Sequence, residues 1–259
     1  MNYKVDFHTH SYYSDGLLKP TELVKMYKEK GYDLIALTDH DGVAGVSEAV
    51  IAGEALEIQI VPGIEFGCGY DFGKERVELH ILGYHIDIEN EKLLTYIKKA
   101  RDAREVRNEK LLAHLNNLGF ALSREDLITR PKQDYIGKPD FARALRRKGI
   151  APDHMWEIFD QVEKEKISVY EAIEVIREAG GIAVLAHPMK IKKIGTADEP
   201  EFWENLDTIV KDLKKHGLKG MECYHPSANH EQALKLVVMA GNYHLHITEG
   251  SDFHGDEAY

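Results

Sequence analysis

Short apolar runs alternate with helical patterns along most of this chain, and no other sequence feature constrains its fold as strongly. A helical pattern over residues 21–30 precedes an apolar strand pattern over residues 34–38, and a second helical pattern over residues 46–56 precedes another strand at 58–61. The same rhythm returns after residue 168. Strands that alternate with helices in this way form parallel sheets, and closure into a barrel is the economical arrangement. The sequence therefore predicts the α/β class with a barrel-shaped parallel sheet.

The alternation stops in the middle of the chain. From residue 91 to residue 168 the sequence shows long, charged helical patterns and no convincing strand, which predicts an all-helical insertion in a loop of the barrel. We therefore expect a barrel formed by residues 1–90 and 169–259 and an insertion formed by residues 91–168. The insertion carries 17 basic and 13 acidic residues, a net charge of +4, whereas the barrel carries 16 and 31, a net charge of −15. This contrast fits either two differently solvated surfaces or a basic lid that attracts an anionic substrate.

The composition argues against several classes of function. A formal net charge of −11 at pH 7 argues against a general nucleic-acid-binding surface and against a basic membrane-binding patch. The sequence has no apolar run of about 18 residues, the length that a membrane-spanning helix needs, and its first residues show no signal-peptide pattern. Two cysteines, Cys68 and Cys223, are too few for a disulfide framework. We therefore expect free thiols and a cytoplasmic location.

Histidine is over-represented, with 14 in 259 positions. Histidines and carboxylates recur where the predicted strands end, and the carboxyl ends of parallel barrel strands converge on one face. Each residue alone has an ordinary alternative, such as a turn or a surface position. Nine such groups placed together could not stay unpaired, because their desolvation would cost too much. We therefore predict a cluster of two or three divalent metal ions. The nine expected ligands are His8, His10, Asp15, His40, Glu65, His80, His187, Asp252 and His254.

Four of these segments resemble the motifs of the polymerase and histidinol phosphatase (PHP) family. They are residues 6–11 (Asp-Phe-His-Thr-His-Ser), 38–41 (Thr-Asp-His-Asp), 186–188 (Ala-His-Pro) and 250–254 (Gly-Ser-Asp-Phe-His). The resemblance runs along the chain in order, with no motif missing. It implies a distorted (β/α)7 barrel, similar to a TIM barrel, that holds a trinuclear centre of manganese, iron or zinc.

The resemblance also implies how the nine ligands are shared among the ions. One ion would be held by His8, His10, Glu65 and Asp252. A second ion would be held by Glu65, acting as a bridge, together with His80 and His187. A third ion would be held by Asp15, His40 and His254. We expect Asp6, two residues before His8, to orient that histidine rather than to bind metal.

The insertion resembles a subgroup of the family that hydrolyses nucleotide monophosphates. The similar stretch is residues 136–143, and the subgroup includes 3′,5′-nucleoside bisphosphate phosphatases and a relative that trims short RNAs from the 5′ end. Those relatives usually have Gly-Arg-(Pro/Thr)-His, where this chain has Lys138 and Asp140 in place of the arginine and the histidine. Lysine keeps the charge but lacks the bidentate fork of arginine, and Asp140 adds a negative charge. The resemblance therefore indicates the type of reaction more closely than it indicates the substrate.

Hydrolysis of a phosphate ester needs a nucleophile, shielding of the phosphoryl oxygens and a proton for the leaving group. Our hypothesis places a hydroxide between the first two ions and the phosphate oxygens across all three. Lys138, Arg143 and His225 are the candidate phosphate contacts outside the metal set, and an ordinary loop histidine is the alternative for His225. Either His225 or His254 could protonate the leaving oxygen. Geometry must decide between them.

The sequence thus predicts a metal-dependent phosphoesterase whose substrate is a small anionic phosphate monoester, such as AMP or a 3′,5′-nucleoside bisphosphate. The alternatives are a 5′–3′ exonuclease of short oligonucleotides, a cyclic-phosphate phosphodiesterase, a histidinol-phosphate phosphatase and a non-catalytic metal-binding module. The basic stretch from Lys98 to Lys110 is interleaved with acidic residues. Such a stretch usually forms a solvated helix face with ion pairs between residues four apart, and contact with nucleic acid is its alternative.

Overall fold

The computed structural model describes residues 3–129, 133, 135–162, 165 and 167–255, so the outer ends of the expected barrel, residues 1 and 259, lie outside the described part. Within it, eight strands belong to one sheet. The strands are Val5–Thr9 (β1), Leu34–Leu37 (β2), Gln59–Phe72 (β3), Glu75–Tyr84 (β4), Ile167–Ser168 (β5), Ile182–Leu185 (β6), Gly220–Tyr224 (β7) and His246–Glu249 (β8).

The helices surround this sheet or form the insertion. They are Pro20–Glu29 (α1), Val46–Leu56 (α2), Glu91–Asn117 (α3), Arg124–Leu127 (α4), Lys138–Arg147 (α5), Met155–Asp160 (α6), Val169–Glu178 (α7), Pro200–Lys215 (α8) and His230–Asn242 (α9). Within the described ranges, no helix combines the length and the apolar character that crossing a bilayer requires.

The sheet follows the order β1-β2-β3-β4-β6-β7-β8, and the short strand β5 pairs with β3 beside this path. A bridge between Thr9 and Phe253 brings the first and last strands together, so the barrel is nearly closed. The prediction of an α/β barrel is confirmed. The prediction that all strands are parallel is wrong at β4, which runs antiparallel to both β3 and β6. The reason is a tight turn at Gly73, where a φ of +62° reverses the chain without a crossover helix.

The sequence pattern explains how the barrel helices pack. In α1 the buried positions are Leu23, Val24 and Tyr27, which lie on one face at helical spacing, and proline begins the helix. These side chains pack with Ile35 and Leu37 of β2, both fully buried, in one apolar cluster. Packing of this kind fixes the position of the strand and therefore the position of the polar residues that follow it.

The insertion has an apolar core of its own. Leu111 and Leu115 of α3 pack there against Phe141 of α5 and Phe159 of α6. The first turns of α3 belong instead to the barrel, because Leu93 and its apolar neighbours pack in the core cluster that contains α7. Helix α3 therefore starts on the barrel and carries the rest of the insertion.

Candidate metal centre

The nine predicted ligands follow the strands as expected. His8 lies in β1, Glu65 in β3 and His80 in β4, and the other six lie in the segments that follow β1, β2, β6 and β8. Two of these positions, His187 and Asp252, have positive φ angles of 25° and 55°. A residue other than glycine adopts this conformation at a cost of about 1–3 kcal/mol, and such residues are common at functional sites.

Glu65 lies at the centre of the cluster, and its side chain is fully buried. Its Oε1 atom lies 2.7 Å from Nδ1 of His80 and 3.1 Å from Nε2 of His187. Its Oε2 atom lies 3.0–3.2 Å from ring nitrogens of three further histidines, which are His8, His10 and His40. One carboxylate therefore faces two groups of imidazoles, the arrangement that a bridging ligand requires.

His8, His10, Glu65 and Asp252 point their ligand atoms at one another. Oδ1 of Asp252 lies 3.4 Å from Nε2 of His8 and 3.1 Å from Nε2 of His10. The same two nitrogens both lie 3.2 Å from Oε2 of Glu65. Four ligands bound tetrahedrally at about 2.0–2.1 Å from a metal lie about 3.3 Å apart. The spacing of these four side chains is therefore that of a coordination shell.

The buried ligand atoms fit a cation. Nε2 of His8, Nε2 of His10 and Oε2 of Glu65 make no hydrogen bond within the part of the chain that the structure describes. A buried polar atom left in this state costs about 1–3 kcal/mol. Imidazole nitrogens and carboxylate oxygens are ligands that manganese, iron and zinc accept. The donor set therefore fits the divalent cations that the sequence predicts.

The carboxylates of the cluster make it strongly attractive to positive charge. Burial disfavours the charged form of His10 and His80, but the neighbouring carboxylates outweigh it and raise the pKa of each ring to about 10. Burial would by itself raise the pKa of Glu65, yet the surrounding histidines hold it well below its usual range. The pKa of Asp252 is lowered in the same way. These carboxylates are ionised at neutral pH, which is the form that binds a divalent cation.

Asp15, His40 and His254 form another edge of the cluster. Oδ1 of Asp15 lies 3.2 Å from Nε2 of His254, and Oδ2 lies 3.7 Å from Nε2 of His40. Nδ1 of His254 lies 2.7 Å from the backbone oxygen of Asp252. A carbonyl oxygen only accepts, so Nδ1 carries the proton and Nε2 presents its lone pair to Asp15. This geometry suits a metal ligand better than a proton donor.

The groups differ in two respects from those that the resemblance implies. His10 joins the group of Asp15, His40 and His254, and the four ligand atoms lie within 4.8 Å of one another. A further group is formed by His40, Glu65 and His80. A histidine that belongs to two groups can bind the ion of either group. The assignment of ligands to individual ions therefore stays a prediction.

Two more buried carboxylates hold the segments that carry ligands. Asp6 accepts hydrogen bonds from the backbone N–H of His8 at 3.0 Å and from the backbone N–H of Ser251 at 3.0 Å. Asp39 accepts from the backbone N–H and the hydroxyl of Ser11, at 2.7 and 2.6 Å. Asp6 thus contacts His8 as expected, but through the backbone and not through the ring. It ties β1 to the loop that follows β8.

His225 is arranged as a proton donor. Its side chain is 3% exposed, and its Nδ1 atom accepts a hydrogen bond of 2.9 Å from the backbone N–H of Ser227. In a neutral ring the proton must then reside on Nε2, which lies 3.6 Å from Oδ2 of Asp252. Among the described residues this Nε2 has no hydrogen-bond partner.

The three predicted residues of α5 have different surroundings. Arg143 donates from Nη2 to the backbone oxygen of Asp15 at 2.7 Å, which places the helix next to one of the predicted metal ligands. Asp140 is fully buried, and its carboxylate accepts from the backbone N–H of Gly137 and from Arg143. Lys138 lies further out and pairs with Asp160 at 2.6 Å. The negative charge of Asp140 is thus balanced inside the insertion.

Two arginines of α3 are functional candidates that the sequence analysis treated only as part of the basic stretch from Lys98 to Lys110. Arg104 is 3% exposed and pairs with Asp41 at 2.7 Å, and Arg107 is 7% exposed. The expected solvated face is confirmed at the exposed Lys98, Lys99 and Lys110, and Lys98 pairs with Asp102, four residues on. The sequence did contain a signal for the burial of these arginines. Arg104 and Arg107 lie within the buried stripe of α3, whose other members are small or apolar residues and Asn108.

Tyr135 connects these arginines to the cluster. The guanidinium carbon of Arg104 lies 4.0 Å from the centre of the Tyr135 ring. The other neighbour of this ring is His40, whose ring lies nearly parallel at 6.4 Å between centroids. The insertion therefore places buried positive charge one aromatic ring away from the predicted metal ligands.

Comparison with known proteins agrees with this geometry. The family model described as PHP domain matches residues 6–219. The chain belongs to the PHP domain family. A 5′-3′ exoribonuclease of Haemophilus influenzae is 30% identical, over 98% of this chain and 91% of that protein. A 3′,5′-nucleoside bisphosphate phosphatase of Chromobacterium violaceum is 29% identical, over 96% of this chain and 87% of that protein.

A solved structure shows the same architecture. It is an amidohydrolase from Chromobacterium violaceum with bound sulfate, which is 29% identical and superposes with a TM-score of 0.85 over 98% of this chain and 88% of that one. The comparisons confirm the PHP resemblance and the barrel fold. They also confirm the prediction of a hydrolase that acts on phosphoester bonds, since the named PHP relatives are enzymes of that class.

Proposed function

We propose that this PHP protein is a phosphatase of small nucleotides, with 3′,5′-nucleoside bisphosphates or AMP-like monophosphates as substrates, and that it works with two or three divalent metal ions. The observation that carries the proposal is the buried positive charge of α3 beside the cluster. A bisphosphate has two anionic groups, and the site offers two places for them. One is the metal centre, and the other is the pair formed by Arg104 and Arg107.

Arg107 is the better candidate of the two for a ligand contact. Arg104 is already paired with Asp41. The side-chain hydrogen bond of Arg107 goes to the neutral oxygen of Asn108 at 3.0 Å, and among the described residues no carboxylate forms an ion pair with it. Burial lowers the pKa of Arg107, and the positive charge of neighbouring Arg104 lowers it further. A phosphate group would supply an anion in bidentate geometry.

The chain's own residues suit the remaining steps of phosphate release. Metal ions held by the cluster would lower the pKa of water and shield the phosphoryl oxygens. His225 presents a protonated Nε2 next to Asp252 and would donate to the leaving oxygen or to the phosphate. The contact of Arg143 with the backbone of Asp15 holds α5 beside the cluster, where its guanidinium would lie next to a bound phosphate.

We further propose that the insertion, residues 91–168, acts as a lid on the barrel. Its own apolar core allows it to keep its shape independently of the barrel sheet. Its positive net charge lies over an acidic barrel and would attract anions to the centre. The side of the insertion nearest the cluster is formed by Tyr135, Arg104 and Arg143.

Short 5′-phosphorylated RNA is the second candidate substrate, and two observations favour it. The relative from Haemophilus influenzae carries the name exoribonuclease. Lysines also extend outwards from the cluster, because Lys190 lies 2.6 Å from Asp252 while Lys138 and Lys192 share Asp160 at 2.6 and 3.3 Å. A row of cations can follow a phosphate backbone.

The test is a substrate panel assayed with the manganese-loaded protein. It contains adenosine 3′,5′-bisphosphate, AMP, a 5′-phosphorylated tetraribonucleotide and a ribose cyclic phosphate. We expect release of inorganic phosphate from the bisphosphate, with kcat/KM at least about tenfold above that for the tetranucleotide, a difference of ~1.4 kcal/mol in transition-state stabilisation. Release of mononucleotides from the RNA without phosphate release from the bisphosphate would contradict the proposal and favour the exonuclease.

A further inference from the structure

Glu222 is a buried carboxylate next to the centre that the proposed reaction does not use. It lies in β7, and its side chain is fully buried. Its two oxygens contact two different strand ends. Oε1 lies 3.0 Å from Nδ1 of His8, and Oε2 accepts a hydrogen bond of 2.7 Å from the backbone N–H of His187. One side chain thus links β7 to the ligands that follow β1 and β6.

The contact with His8 determines which of its ring nitrogens carries the proton and which presents a lone pair to the cluster. A carboxylate accepts hydrogen bonds, so Nδ1 of His8 donates to Glu222. In a neutral ring with its proton on Nδ1, the Nε2 atom is unprotonated and is the one that faces the cluster. That atom lies 3.2 Å from Glu65 and 3.4 Å from Asp252. Hydrogen bonding of this kind fixes the orientation of a metal-binding histidine and increases its basicity.

The contact with His187 holds a strained backbone. His187 has φ and ψ angles of 25° and 65°, a conformation that is unfavourable for a residue other than glycine. A hydrogen bond from a backbone N–H to a buried carboxylate is charge-assisted and stronger than a neutral one, so it favours this conformation. The strained turn directs Nε2 of His187 to 3.1 Å from the other oxygen of Glu65.

The surrounding chain leaves room for this carboxylate. A Cβ atom at Gly250, in the loop after β8, would collide with Cβ of His8 and with Oε1 of Glu222. Glycine at this position therefore lets the backbone after β8 approach both residues. Three strand ends meet around Glu222, and each carries at least one predicted ligand.

We propose that Glu222 is a positioning residue of the metal centre. Through one carboxylate it sets the tautomer of His8 and the backbone of His187, which lie on opposite sides of the bridging Glu65. The proposal rests on the metal centre of the proposed function. According to the proposal, Glu222 affects the affinity for metal through the ring of His8. Asp6 and Asp39 differ from it, because they hold backbone segments.

The test is Glu222→Gln, which preserves volume and can still accept from the N–H of His187. The amide nitrogen then faces His8 and donates to Nδ1, which moves the ring proton to Nε2. We expect zinc affinity to fall by about 10–100-fold, measured by competition with a chelator. In the zinc-loaded protein labelled with ¹⁵N-histidine, the hydrogen-bonded Nδ1 proton of His8 should be present in the wild type. It should be absent in the variant, because a ring whose proton is on Nε2 no longer binds zinc through that atom.

The matched control is Glu249→Gln, the same change at an exposed position of the neighbouring strand β8. It should leave zinc affinity and the His8 resonance unchanged. Wild-type zinc affinity together with an unchanged His8 resonance in Glu222→Gln would overturn the proposal. Neither readout involves a substrate. A wild-type protein that binds zinc but releases no phosphate would therefore contradict the proposed function alone.

Discussion

The barrel and the insertion form the two halves of the site in different ways. On the barrel side, neighbouring ligand atoms lie 2.7–3.7 Å from one another, and their segments are held by buried carboxylates such as Asp6 and Asp39. On the insertion side, cations range from the buried Arg107 to the partly exposed Lys138. Rigid placement suits metal coordination, which requires defined geometry. The insertion side, whose cations differ in burial, suits recognition of a ligand. Members of one family can differ there in the substrate that they recognise.

Replacing the central carboxylate should have the largest effect. Glu65→Gln removes the charge that five histidines surround, so we expect loss of metal from more than one position and a fall in kcat/KM of about three orders of magnitude, equivalent to ~4 kcal/mol. Metal content measured by mass spectrometry and phosphate release check this. Full metal content with wild-type turnover would show that Glu65 does not bridge.

A smaller effect is expected on the insertion side. Arg107→Met removes the buried cation but keeps the apolar stem, so KM for adenosine 3′,5′-bisphosphate should rise about 10–100-fold, the equivalent of one or two charge-assisted hydrogen bonds. Metal content should not change.

Lys98→Met on the same helix is the matched control for Arg107→Met, because this lysine is 77% exposed and pairs only four residues along the helix. It should leave KM unchanged. An equal rise in KM for both variants would indicate a general charge effect and not a contact with the ligand.

The smallest effect is expected at the edge of the insertion. Lys138→Ala removes an ammonium group that already pairs with Asp160, and partly exposed pairs contribute about 0–1 kcal/mol. KM should therefore rise less than about fivefold for small nucleotides. A rise of 100-fold in a titration of the bisphosphate would place Lys138 in direct contact with the phosphate.

Much of the barrel could be predicted because its signals are local. Apolar strand patterns predicted β2 and β6, and the ends of the strands predicted where Glu65 and His187 converge. The direction of β4 was not predictable from alternation, since a strand of either direction has the same period of two. It depends on the turn at Gly73, which is two residues long between β3 and β4.

The insertion was harder to interpret for a physical reason. An arginine on a helix is ordinarily solvated, and its burial depends on partners from distant parts of the chain. For Arg104 these partners are Asp41 of the barrel and Tyr135 of the insertion. The role of Glu222 was missed for a similar reason, because its contacts with His8 and His187 join segments that are far apart in sequence.

The most direct test of the account is an anomalous-scattering map of manganese-loaded crystals. The account predicts peaks on both sides of Glu65, one of them enclosed by His8, His10 and Asp252, because the ligand atoms there already have the spacing of a coordination shell. An active, manganese-loaded protein with no peak at Glu65, or with its manganese bound only elsewhere, would contradict the central claim.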